Sequence, residues 1–103
     1  MARAVSDATD ARLLQLARGD NVLITTTSIP AGEELLIDGH AVTLATTVAL
    51  GFKLAATDLE EGTVAIRFGM PIGRTTTAVA RGAVVHTHNL ESLYLRTHAR
   101  GEQ

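Results

Sequence analysis

The stretch LEEGTVAIRF, residues 59–68, carries two instructions in a row. Leu59 is an apolar anchor, Glu60 and Glu61 are polar, and Gly62 offers a backbone conformation that other residues resist. From Thr63 the pattern alternates, with Val64, Ile66 and Phe68 on one side and Ala65 and Arg67 on the other. That period belongs to a strand with one buried face. The stretch therefore reads as a tight turn that feeds a short strand. The same turn recurs at IPAGEEL, residues 29–35, and VARGAV, residues 79–84. Gly32 to Gly62 is 30 residues and Gly62 to Gly82 is 20. This uneven spacing predicts a reused turn and not a solenoid repeat.

Working outward, further strands are expected at 21–27 (NVLITTT), 40–46 (HAVTLAT) and 83–88 (AVVHTH). All are rich in β-branched residues, which favour the pleated conformation. Upstream, the first nine residues read as frayed. Asp10 is then placed to cap a short helix over 11–18 (ARLLQLAR), with Leu13, Leu14 and Leu16 on its apolar side and Gly19 as its stop. The expected class is all-β, a compact irregular fold with a short N-terminal helix. The divisions are an extension over 1–19, a β domain over 20–92 and a polar tail over 93–103.

Composition narrows the function. A chain of 103 residues suits one domain, and 46% hydrophobic residues support a packed core. A net charge of −2 leaves no basic stripe for phosphates, and Phe52, Phe68 and Tyr94 are too few for base stacking. Nucleic acid is therefore not an expected partner. With no cysteine, disulfides and thiolate metal sites are excluded. The opening MARAVSDATDAR has no apolar core of a signal peptide, and no run approaches the roughly 20 apolar residues of a membrane span. A soluble cytoplasmic protein with no membrane partner is expected.

The chemistry concentrates in VVHTHNL, residues 84–90. On a strand, His86 and His88 would share a face with Cα atoms about 6.5–7 Å apart, within reach of one divalent ion or one substrate. A polar strand face is the plainer reading. Two ligands make an incomplete site, since catalytic metals take at least three protein ligands. Asn89 could bind a carboxylate or cap a turn. Lys53, among apolar neighbours in ALGFKLAAT, could act as a base, pair with a carboxylate, or extend its ammonium to water. RFGMPIGRTTT, residues 67–77, reads as a sharp crossing able to bring backbone N–H groups to an anion, without matching a P-loop or dinucleotide fingerprint. His40 and His98 read as solvated.

Five elements in order then resemble the SAF-type domain of the altronate/galactarate dehydratase family: Asp20-Asn21-Val22, Ile29 to Gly32, Gly51-Phe52-Lys53, Arg67-Phe68-Gly69 to Ile72-Gly73, and His86-Thr87-His88-Asn89. The family pattern has His where this chain has Phe52, and Lys-Tyr where it has Arg67-Phe68. The resemblance implies a SAF-type β-clip fold over 20–92. It also implies a divalent metal (iron, manganese or magnesium) shared with a large catalytic dehydratase subunit. His86 and His88 would bind that metal. His86, His88 and Lys53 would be catalytic, and Asn89, Asn21 and Arg67 would hold a small hydroxy-acid substrate. The implied activity is dehydration of an altronate- or galactarate-like sugar acid to a 2-keto-3-deoxy acid, as a small hydro-lyase subunit inactive alone. Alternatives are a sulfolactate-type sulfo-lyase subunit and a non-catalytic module that binds a small acid or a partner protein. A homo-oligomer is a further expectation.

Overall fold

The computed structural model describes residues 8–92, and within them the regular structure is nearly all strand. Nine short strands occur: β1 Leu13–Leu14, β2 Val22–Thr25, β3 Glu34–Ile37, β4 His40–Thr43, β5 Lys53–Ala55, β6 Val64–Arg67, β7 Met70–Thr75, β8 Val84–Val85 and β9 Leu90–Glu91. They pair antiparallel into a central sheet ordered β1-β2-β5-β8, a hairpin β3-β4, and a three-stranded sheet β6-β7-β9.

The central sheet is buried on both faces. Successive residues point to opposite sides of a strand, and three adjacent pairs show it. Leu23, Leu54 and Val84 face a core that also holds Leu13, Ile29, Leu35, Ile37, Leu44 and Val48. Val22, Ala55 and Val85 face a second core with Leu59, Ala65 and Val79. The β3-β4 hairpin thus covers one face and the β6-β7-β9 sheet the other.

The turns are more regular than the sequence reading. A fourth apolar-x-x-Gly turn lies at Val48 to Gly51, hidden there because Ala49 and Leu50 supply no polar contrast. The four turns form two pairs: Ile29 and Val48 exchange both backbone hydrogen bonds, and so do Leu59 and Val79. Gly32 N–H donates to Leu44 O as Gly62 N–H does to Thr75 O. Gly51 N–H donates to Thr25 O as Gly82 N–H does to Ala55 O. The chain therefore repeats one plan twice: strand, turn, hairpin, turn. Both hairpins close through two residues at positive φ, Asp38 (51°) with Gly39 (81°) and Phe68 (55°) with Gly69 (74°), the signature of a type I′ turn.

Two glycines are required by close approach. A methyl group on Gly82 would overlap Val42 Cγ1 of the opposite hairpin. One on Gly73 would lie 2.7 Å from Glu91 O and 2.8 Å from Leu90 Cγ, where β9 crosses β7.

Three expectations are corrected. The helix over 11–18 does not form. Asp10 does begin a turn, its Oδ1 accepting the Arg12 N–H at 2.9 Å, but Leu13 and Leu14 then pair with Thr25 and Ile24 as β1. Eight residues are too few for an independent helix, and the buried edge of β2 takes them instead. Gly19 does adopt positive φ, within a turn. In β6 the buried residue is Ala65, which faces the second core, while Phe68 lies beyond the strand in the hairpin turn and is 68% exposed; the extra residue of the bulge falls on β7, at Ile72. Finally, 83–88 is not one strand: β8 stops at Val85. The frayed start before Ala8 and the tail over 93–103, with His98, lie outside the described residues.

Candidate functional site

After Val85 the chain turns sharply, and Asn89 is the cause. Its Oδ1 accepts the His86 N–H at 2.9 Å, its Nδ2 donates to Val84 O at 2.9 Å, and its own N–H donates to His86 O at 3.0 Å. The side chain imitates a strand partner and folds His86-Thr87-His88 into an exposed loop over a buried amide. His86 and His88 therefore do not share a strand face, and Asn89 has both amide atoms committed to the turn.

The two imidazoles nevertheless line one cleft of about 510 Å³. One wall is the segment Leu44 to Val48, another is Ala78 to Val84 excluding Arg81, and Phe52 lines it beside the loop. The Phe52 and His86 rings stack with centroids 5.3 Å apart and planes at 29°. Thr46 and Thr47 add hydroxyls to walls that are otherwise mostly apolar or backbone. Such a cleft can admit a small polar molecule, with two imidazoles at its mouth to accept or donate a proton.

The remaining predicted residues are elsewhere. Lys53 pairs with Val85 and Ile24 across the sheet, which places it on the face opposite Phe52. Asn21 spends its amide on β6, with Nδ2 donating to Val64 O at 2.9 Å and Oδ1 accepting the Ile66 N–H at 2.7 Å. Arg67 is exposed at the end of β6. The structure thus brings His86, His88 and Asn89 together, with Phe52, and leaves Lys53, Asn21 and Arg67 apart from them. His40, expected to be solvated, is exposed, with Nδ1 3.0 Å from Asp38 O.

The expected anion-binding crossing over 67–77 is a hairpin, and its anion is internal. Asp20 Oδ2 accepts the N–H groups of Phe68 (2.7 Å) and Ala17 (3.0 Å), and Oδ1 accepts that of Gly69 (2.8 Å). Burial works against this carboxylate's charge, but the N–H groups of Gly69, Phe68, Ala17 and Leu16 together outweigh it and hold its pKa below the usual range. Nothing in the residue pattern distinguished Asp20 from a surface acid. A second cleft of about 720 Å³ lies beside it, lined by Asp10, Asp20 and Asn21 among others. Asp10 there is bound by Arg12 through Oδ1 and Oδ2, which lowers its pKa.

A complete metal site is not built from this set. No group of three or more His, Cys, Asp or Glu side chains is placed to hold an ion among the described residues. Two imidazoles fall short of the three protein ligands that a catalytic metal takes.

An all-β fold of two interlocked turn-and-hairpin units, closing on a His-x-His-Asn loop, defines the class. The altronate/galactarate dehydratase SAF domain family matches residues 11–93, and the chain belongs to it; the fold is its β-clip. Over 70 residues the chain is 40% identical to altronate dehydratase of Escherichia coli (strain K12), a match covering 68% of this chain and 14% of that relative. The chain thus spans a small part of the relative it matches. No helix among the described residues is long and apolar enough to cross a membrane.

Proposed function

We propose that this chain is the small subunit of a hydro-lyase that dehydrates a sugar acid of the altronate or galactarate kind to a 2-keto-3-deoxy acid. A larger catalytic subunit would complete the site. The observation that carries this reading is the cleft in which the Asn89-pinned loop presents His86 and His88, in a chain of this family. Its incompleteness points the same way, because the relative has most of its length outside the matched segment.

In the reaction the C2 proton and the C3 hydroxyl leave as water, and the resulting enol relaxes to the 2-keto acid. One group must take a proton and another must give one, and an imidazole serves either end. His86 and His88 fill those roles at the cleft mouth. Asn89 acts through them as a positioning residue. Should they instead bind a shared divalent ion, iron, manganese or magnesium, its remaining ligands and the groups that move the protons would lie outside this chain. Lys53, Asn21 and Arg67 would reach the substrate only through the assembled complex.

The test is reconstitution with the large subunit, following 2-keto-3-deoxy acid formation from altronate and galactarate. Activity should require both chains. It should fall about 100-fold or more in a His86→Ala, His88→Ala double variant that still associates. Full activity of that variant would refute the assignment.

Phe52 favours a second reading. It replaces the family's histidine with a ring that can neither bind metal nor move a proton, and it packs on His86. On this reading the chain is a non-catalytic module whose cleft holds a small acid. A sulfonated hydroxy acid, as in a sulfo-lyase, is the other substrate class; the same reconstitution assayed with sulfolactate separates it.

A further inference from the structure

The β6-β7 hairpin tip violates two rules at once. Phe68 takes a φ of 55°, a conformation ordinarily left to Gly, Asn or Asp. Its ring is also 68% exposed, and Met70 beside it is 61% exposed. The molecule contains its own control. The matching position in the other half is Asp38, at φ 51° and again before a glycine, the favoured choice for this turn. Phe68 is therefore not what the turn demands, and its ring gains little burial in return.

The tip is also held firmly. Asp20, buried and ionised, accepts the N–H groups of both turn residues. The same carboxylate oxygen binds Ala17 N–H, so the Ala17–Gly19 turn abuts the tip. Exposed Arg67 pairs with Met70 across the hairpin, and exposed Arg18 follows Ala17, whose N–H shares Asp20 Oδ2 with that of Phe68, in a chain whose net charge is −2. The result is a rigid aromatic finger with a cationic collar.

We propose that Phe68 and Met70, flanked by Arg18 and Arg67, form the finger by which this chain docks onto the large catalytic subunit, in an apolar socket rimmed by carboxylates. This rests on the functional reading above for the partner's identity. A rigid aromatic anchor with a polar rim is the anatomy of an interface hot spot. The collar's charge fixes the sign of the rim. The occupant is the large subunit because the relative has most of its length beyond the matched segment.

The experiment uses Phe68→Asn. Asparagine is favoured at this turn, so the variant should melt at or above the parent temperature, and lost binding cannot be attributed to misfolding. The tagged full chain is used to capture proteins from its host. A captured large subunit is identified by a sequence that matches the part of altronate dehydratase outside the SAF segment, and its affinity is then measured with the purified protein. The expected result is capture by the parent and a loss of about 30-fold or more in Phe68→Asn. Capture of that subunit with equal affinity by Phe68→Asn overturns the finger and leaves the functional reading standing. Capture of no such subunit overturns both. Self-association of the chain alone, abolished by Phe68→Asn, would assign the tip to a second copy and overturn the proposal.

Discussion

The ring of Phe52 lies 5.3 Å from that of His86, nearly parallel to it, at the edge of the cleft that His88 also lines. Position 52 is thus against His86 and in the lining of the cleft shared with His88, although 34 residues separate it from His86 in the chain. Phe52→His should place a third imidazole there. Titration calorimetry with Mn²⁺ or Zn²⁺ should show the isolated variant binding at least about tenfold more tightly than the parent. Equal affinities would show that position 52 does not belong to the cluster.

Asn89 pins the loop that carries both histidines. Asn89→Ala leaves His86 N–H and Val84 O without their partner in a region that is otherwise satisfied. The cost should be about 1–3 kcal/mol in denaturant unfolding. Asn89→Asp keeps the acceptor and loses the donor, so it should fall between the two. A neutral alanine variant would mean that the loop is held by other contacts.

Gly82 lies beneath Val42. Gly82→Ala meets both a backbone at φ 85° and the Val42 side chain, and should destabilise by about 1–3 kcal/mol. Val42→Ala in the same chain should recover part of that loss, since it clears the overlap but not the backbone strain. Strict additivity in the double-mutant cycle would rule out the contact as the cause.

Asp20 and Asp10 both have folded-state pKa values below their unfolded ones. Their stabilisation is therefore complete above the unfolded carboxyl value of about 4 and is lost as pH falls through it towards the folded values. The parent should lose stability between pH 6 and pH 3. Asp20→Asn should be less stable at pH 6, because an amide nitrogen cannot accept the N–H groups, and should show a shallower acid limb. An unchanged slope across that range would exclude Asp20 as a contributor.

Much of this fold was legible in the residues. Glycine after an apolar anchor marked Gly32, Gly62 and Gly82, and β-branched runs marked strands within 21–27 and 40–46. What stayed hidden depended on distant partners. Leu13 and Leu14 carry an apolar pattern that fits a helix, and only the edge of β2 makes them a strand. The alternation at Val84 to His88 imitates a strand, and the amide of Asn89 bends it. Phe68 follows the apolar period of β6, but the strand buries its Ala65 face and ends at Arg67, which leaves Phe68 in the exposed turn. At the site, the nearness of His86 to His88 could be read from HTHN, though not as a shared strand face, whereas the separation of Lys53 from them required knowing which face β5 buries.

The two halves described above do not stack side by side; each supplies part of the other's walls. Asn21 in the first half is bonded to β6 in the second, and Gly82 in the second receives Val42 from the first. The hydrogen bonds that join the halves span 43 and 45 residues of chain, so long loops must close before the halves lock together. Such a chain should fold on the order of milliseconds to seconds and as one cooperative unit. A single backbone cut near Thr57 should cost more than any surface substitution, because it leaves the first core in one fragment but parts Val22 and Ala55 from Leu59, Ala65, Val79 and Val85 in the second.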